Sequence, residues 1–261
     1  EANGPGDRLH IDLTGKHPTS RQGHVYILTA IDAYTRYLVA VPLRNKEART
    51  VANALVERVF LPFGNYRCIV SDQGREFCNE ILDNVSRLLG INKLRTTCYR
   101  PSANGRIGRV HRTINGLLSK VINENQRNWA ECLPMVVAAY NAAQHESTQH
   151  SPYYLTYGRE YKPSLDITLN LLQEEIPDNE HEYVANLRER LQKAYSTVND
   201  YLHTTTQRAK FRYDAKVHSF QLKPGEFVIY YCPRRQTERY QKWRRQGTIS
   251  RLEACYNDIL Y

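Results

Sequence analysis

The stretch YRPSANGRIGRVHRTINGLLSKVI, residues 99–122, decides how the rest of the chain is read. Ile107, Val110, Ile114, Leu117, Leu118, Val121 and Ile122 recur at helical spacing and make one apolar stripe. The spacing predicts an amphipathic helix entered from the polar loop CYRPSANG. Gly108 falls inside its first turns, where glycine costs roughly 1 kcal/mol relative to alanine. It lies about 100° around the helix from Ile107, on a flank shared with Arg112 and near Asn115. Two accounts of it are open: a close helix contact that only glycine permits, or the loss of a side chain with a function.

Upstream, RLHIDLT (residues 8–14) alternates, with Leu9, Ile11 and Leu13 on one face and His10, Asp12 and Thr14 on the other. HVYILTAID and RYLVAVPL follow, rich in β-branched and aromatic residues, so three strands in succession predict an antiparallel meander. NKEARTVANALVERVFL has helical spacing, RCIVSDQG is a short apolar strand, NEILDNVSRLLG is a helix closed by Gly90, and INKLRTT is a fifth strand. Downstream, NWAECLPMVVAAYNAA predicts a second helix capped by Asn128, with Pro134 as a kink or boundary. Residues 144–177 read as irregular. A long polar helix is expected over 179–216, its stripe running through Tyr183, Leu187, Leu191, Tyr195, Val198 and Leu202. LKPGEFVIYYCPRR then opens a small β module. The pattern is a mixed α/β domain of about 150 residues, a helical linker and a small basic β-barrel.

Charge is unevenly placed. The chain of 261 residues has a net charge of +9, yet residues 207–261 alone carry 12 Lys and Arg against 5 Asp and Glu. A basic module beside a near-neutral body points to a polyanion, most often nucleic acid; a solvated basic surface is the plainer reading. No apolar run approaches the ~20 residues of a membrane helix, and EANGPGDRLH has no targeting pattern and reads as an entry linker. The six cysteines show no C-x-x-C spacing, which argues against a cysteine zinc site and favours reduced intracellular thiols.

Two aspartates stand out. Asp12 lies mid-strand on the polar face, and Asp72 lies where an apolar strand opens into Gln73-Gly74, a favourable place for a catalytic or ligand group. A turn-forming role accounts equally for Asp72, because D-x-G opens many loops. In order, HIDLT, VSDQGREF, YRPSANGRIGRVHRTI and PMVVAAYNAAQHESTQHSPYYLTYGRE resemble the integrase of gypsy-type LTR retrotransposons, within the retroviral integrase superfamily. The resemblance implies an RNase H-like catalytic core with a mixed five-stranded sheet over residues 1–165. A connector and linker helix over 166–221 follow, then an SH3-like basic domain over 222–261, whose last strands match weakly. The family's zinc-binding N-terminal domain would lie upstream of Glu1.

The family's active site uses two Asp and a Glu. The Glu follows the second Asp after 35 intervening residues, and here that position is Gly108. Phosphodiester cleavage and strand transfer need an activated oxygen nucleophile and a stabilised leaving oxygen, which two Mg²⁺ or Mn²⁺ ions ~3.5–4 Å apart supply. Such hard ions take oxygen ligands. By resemblance Asp12 bridges both ions, Asp72 holds one, and position 108 would hold the second. Glu76, four residues after Asp72 and expected on the following helix, could approach the aspartates, but nothing in the sequence shows that it does.

For DNA, the polar helix flank carries Arg106, Arg109, His111 and Arg112, preceded by Arg100 and Asn104; Gln73 and Tyr99 are further candidates near the cleft. In the C-terminal module Arg234, Arg235, Lys242 and Arg244 are interleaved with Trp243 and tyrosines, a mixture suited to phosphate contact and packing on sugar or base. The resemblance implies double-stranded DNA as partner, homo-oligomers on DNA ends and a nuclear setting. It leaves open an active but impaired integrase or a non-catalytic DNA-binding or assembly protein derived from one.

Overall fold

A computed structural model describes residues 2–96, 101–163 and 180–215, and two strands further on. The elements are β1 (Arg8–Gly15), β2 (Tyr26–Asp32), β3 (Leu38–Leu43), α1 (Ala48–Leu55), one π turn (Val56–Phe60) running into α2 (Leu61–Phe63), and β4 (Cys68–Ser71). Then come α3 (Glu80–Leu88), β5 (Asn92–Arg95), α4 (Pro101–Val121), α5 (Trp129–Ala142), α6 (Pro152–Tyr157), a long α7 (Glu180–Asp214), β6 (Val228–Tyr231) and β7 (Trp243–Gln246).

The first five strands form a single mixed sheet in the order β3-β2-β1-β4-β5. The meander β1–β3 is antiparallel; β4 pairs parallel with β1, and β5 parallel with β4. Parallel neighbours need crossovers, and α1–α2 and α3 provide them. Both faces of the sheet are covered. Leu9, Ile11, Leu28 and Ala30 pack with Val51, Leu55, Val59, Phe60 and Leu82 on the α1–α3 side. Ile27, Ile31 and Leu38 pack with Ile107, Val110, Ile114 and Leu118 of α4 and Trp129, Leu133 and Val136 of α5 on the other. The apolar stripe that predicts α4 is therefore what binds that helix to the sheet. On the polar row of β1, His10 is buried and Asp12 lies near His111 of α4.

Asn141 closes the outer edge of β3. Its carboxamide accepts from the Leu38 N–H at 2.9 Å and donates to the Leu38 carbonyl at 2.9 Å. Helix α7 docks on the core through buried Ala194 and Val198 against Tyr34 and Leu155. The Tyr34 hydroxyl donates to the Tyr195 carbonyl, and the Tyr195 hydroxyl donates to the Leu155 carbonyl, each at 3.0 Å.

Three local expectations are corrected. Residues 144–177 are not wholly irregular, because they contain α6, which is too short for periodicity to reveal. Ser151 caps it by accepting from the Tyr154 N–H at 2.9 Å and donates to Glu160 Oε2 at 2.8 Å; Gly158 ends it at φ 72°. Asn128 stands at the start of α5 but makes no side-chain cap; its Oδ1 accepts from the Asn123 N–H instead. Of the two readings of Pro134, kink or boundary, the boundary falls, because it lies inside α5. Of the expected SH3-like barrel, the antiparallel pair β6–β7 is described, and Arg234, Arg235 and Lys242 lie outside the described residues.

Candidate active site and nucleic-acid face

The site is built where β1, β4 and α4 meet. Asp12 stands opposite Thr29 of β2. The parallel register of β1 and β4 pairs His10 with Val70, and two further residues along each strand bring Asp12 level with Asp72. Asp72 sits at the head of a loop anchored from below. Phe77 is fully buried in the core, and Lys93 Nζ donates to the Phe77 carbonyl at 2.7 Å while pairing with Asp83 at 2.6 Å. The turn-forming account of Asp72 holds alongside the functional one, since its Oδ1 accepts from the Gly74 N–H at 2.9 Å.

Glu76 comes closer than the sequence suggests. It precedes α3, and its carboxylate lies against Gly74. A Cβ on that glycine would stand 2.8 Å from Glu76 Cδ and 3.0 Å from Asp72 Oδ1, so the two carboxylates flank one glycine. Burial pushes the Asp12 carboxyl up to about 6, with the charges of Asp72 and Glu76 adding to the effect and the Leu13 N–H, which donates to Oδ1 at 2.8 Å, opposing it. Like charges drawn together at a pocket of reduced exposure are a feature of functional sites.

Helix α4 contributes His111. Its Nε2 lies 2.8 Å from Thr29 Oγ1 and its Nδ1 lies 3.8 Å from Asp12 Oδ2. Burial holds it down to about 4, with His17 adding to the effect, so the ring is neutral near pH 7. His111 therefore does not belong with the phosphate-gripping cations of the helix flank. Arg109 and Arg112 on either side of it are exposed and do remain available. Gln73 is exposed, and its Nε2 donates to the Thr96 carbonyl at 3.2 Å. Tyr99 and Arg100 lie outside the described residues; Asn104 and Arg106 lie on the α4 backbone, and Trp243 and Arg244 on β7.

Gly108 is exposed, and a Cβ built on it meets nothing within 4 Å. Among the described residues no close contact requires a glycine there, so the packing account loses its support. The family's set of three acids around two hard ions does not fit this chain. By the resemblance its first two acids would be Asp12 and Asp72, and the third position, Gly108, has no side chain. Among the described residues no group of three His, Cys, Asp or Glu side chains is placed to hold an ion. Sequence reasoning missed Thr29, raised the approach of Glu76 without a signal for it, and grouped the half-buried, neutral His111 with the cations of the helix flank. The one sequence signal for His111 was its place three residues after position 108, on the same side of the helix.

A mixed sheet with one acid on its first strand and another after its fourth, roofed by a helix with an arginine flank, defines an integrase-type catalytic core. More particularly, the chain carries an integrase core domain homologous to those of retroviruses and retrotransposons: residues 2–101 match the integrase core domain family. The chain is 31% identical over 224 residues to the retrovirus-related Pol polyprotein from transposon 412 of Drosophila melanogaster, which covers 85% of the chain and 18% of that polyprotein. It is 31% identical over 156 residues to the Pol polyprotein of radiation murine leukemia virus (strain Kaplan), covering 59% of the chain and 26% of that protein. The chain thus spans about a quarter or less of these curated relatives. Its fold is shared with the simian T-cell lymphotropic virus intasome solved in complex with PP2A regulatory subunit B56 gamma, at TM-score 0.54 and 12% identity over 94% of this chain and 68% of that one.

Proposed function

We propose that this chain is a DNA-binding integrase of retroelement type whose phosphodiester cleavage and strand-transfer activity is impaired by Gly108. The observation that carries the reading is the open space at Gly108. By the family resemblance this is the position of a third acid, and the sequence has a glycine there. Mg²⁺ or Mn²⁺, when bound, would supply Lewis-acid stabilisation of phosphoryl oxygens, and Asp12 and Asp72 are the residues that would hold it. The chain's remaining parts serve DNA. Arg109 and Arg112 face outward along α4 and suit backbone phosphates without reading sequence, and the net charge of +9 favours association with a polyanion.

Gly108 also favours a second reading, a non-catalytic DNA-binding or assembly protein that keeps the integrase fold. Homo-oligomers fit either reading. Helix α5 exposes apolar residues on its outward side, Pro134, Met135 and Ala139, next to Glu131, which pairs with Arg21. Among the described residues no helix is long and apolar enough to cross a membrane. The free thiols of Cys68, Cys78 and Cys132 fit the reducing, nuclear setting proposed for it.

Duplex-DNA binding as a function of salt tests the proposal. The affinity should fall steeply with ionic strength, and Arg109→Ala or Arg112→Ala should each lower the salt slope by about one. Salt-independent binding, or none, contradicts it.

A further inference from the structure

We infer that the cleft between the β2–β3 turn and α7 is a binding site for a small phosphomonoester with a hydroxyl-bearing body, of the sugar-phosphate kind, and that its occupant fastens α7 to the core. The site lies apart from the aspartates. It opens beyond the Leu9–Asp32 pair at the end of the sheet, three residues or about 10 Å along β1 from Asp12. It does not depend on what the carboxylates hold.

Two separately built walls make the cleft. The first is the turn after β2. Asp32 draws it together, its Oδ1 accepting from the Tyr34 and Thr35 N–H groups at 2.7 and 2.8 Å and its Oδ2 from the Gly6 N–H at 2.9 Å. The bond to Gly6 brings the N-terminal segment, with Ala2 and Asn3, alongside the turn. Arg36 closes the turn, its N–H donating to the Asp32 carbonyl at 3.0 Å, and it stands at φ 66° although it is not a glycine. A long side chain held in that conformation is strained, and such residues cluster at ligand sites. Arg36 is also buried, at 7% exposure. The second wall is one face of α7. Asn199, His203 and Thr206 recur at spacings of four and three, which puts them on one side of the helix. Val198, buried against Tyr34, and the bond from the Tyr34 hydroxyl to the Tyr195 carbonyl hold that face to the core.

Between the walls is a cavity of about 420 Å³, within the size range of small-ligand sites. Its lining decides the ligand. Asn3, Arg36, Asn199, Asp200, His203 and Thr206 bring polar groups, against Ala2, Ala33 and Leu202 on the apolar side, so a mainly apolar occupant does not suit it. Guanidinium is the side chain whose planar fork matches phosphate oxygens, and its five N–H donors let Arg36 serve the protein and a ligand together. His203 adds a donor. Its Nε2 lies 3.3 Å from the Gln207 carboxamide nitrogen, which can only donate, so Nε2 accepts and Nδ1 carries the hydrogen of the neutral ring. Asp200 does the opposite. Its carboxylate accepts and carries negative charge, so it disfavours a ligand that is anionic throughout and selects one with hydroxyl groups on its body. The volume leaves room for such a body beside a single phosphate group. Because the lining comes from both the turn and α7, a bound ligand bridges them.

The test is binding of ribose 5-phosphate to the full chain, with inorganic phosphate and ribose as partial probes. Calorimetry should show one ribose 5-phosphate per chain, bound at least fivefold more tightly than either part. His203→Ala should weaken ribose 5-phosphate and inorganic phosphate alike, by at least fivefold, whereas Asp200→Ala should weaken ribose 5-phosphate alone. Both residues are exposed on α7, so neither substitution disturbs the buried Arg36 turn. A second readout needs no variant. Ribose 5-phosphate should slow amide hydrogen exchange across residues 194–206 of the unsubstituted chain, because a ligand bridging the two walls suppresses the opening of α7. No saturable binding at about 10 mM ligand, affinities of both variants within twofold of the parent, or exchange that is unchanged at saturation would overturn the inference. Displacement of ribose 5-phosphate by a short duplex DNA would overturn it too, since the cleft would then belong to the DNA face.

Discussion

Asp12→Asn should make the protein more stable at neutral pH, although it removes a central residue of the site. Asp12 has a side chain only 22% exposed, and its carboxyl is raised from 3.8 to about 6 by burial and by the charges of Asp72 and Glu76. The sign follows from linkage. A group whose pKa is higher in the folded protein stabilises it most below the unfolded value, and that stability is lost as pH rises through the folded value. Between 3.8 and about 6 the loss amounts to about 3 kcal/mol at 1.36 kcal/mol per tenfold. Asparagine carries no charge and can still accept from the Leu13 N–H. The variant should therefore exceed the parent by about 3 kcal/mol at pH 7.5, and by about 1 kcal/mol at pH 4.5. In thermal unfolding the neutral-pH difference corresponds to roughly 6–12 °C. Urea denaturation of both proteins at the two pH values measures the gap. The comparison must be made as a difference, because His111 and His145, each held near 4 mainly by burial, cost the parent stability as pH falls from 6.5. A variant no more stable than the parent at pH 7.5, or a gap that fails to narrow on acidification, would refute the claim that Asp12 is held in a repulsive, buried setting.

Other outcomes follow from particular contacts. Gly108→Ala should raise stability by about 1 kcal/mol with no change in DNA affinity, since its Cβ meets nothing; destabilisation in a thermal melt would revive the packing account. Asn141→Ala should cost about 2–4 kcal/mol in urea unfolding, because the buried Leu38 N–H and carbonyl both lose their partner. Gly158→Ala is strained at φ 72°, and its Cβ would run into Leu187 of α7. Limited proteolysis should then cut within residues 180–215 faster than in the parent, and an unchanged digestion pattern would show that α7 does not depend on that contact.

The five-stranded sheet was legible because β1 alternates and β2 and β3 are rich in β-branched and aromatic residues, and because α4 announces itself by its apolar stripe. Motifs and spacing singled out Asp12, Asp72 and position 108, whose metal-holding role is the proposal made above. His111 was not, because what defines it is a contact with Thr29, 82 residues away along the chain. An exposed arginine flank and a half-buried histidine within it look alike as sequence. Glu76 escaped for a related reason: the loop that folds it back onto Gly74 is set by Phe77 and Lys93, not by any period. Helix α6 escaped because its six residues are defined by the Ser151 cap and Gly158 rather than by hydrophobic spacing.

The central claim is that an otherwise intact integrase core lacks one acid at position 108. Strand transfer of a short duplex DNA end into target DNA, run with Mn²⁺ for the unsubstituted chain and for Gly108→Glu side by side, tests it most directly. The account predicts no detectable product from the first and measurable product from the second. Turnover by the unsubstituted chain that Asp72→Asn abolishes would contradict it.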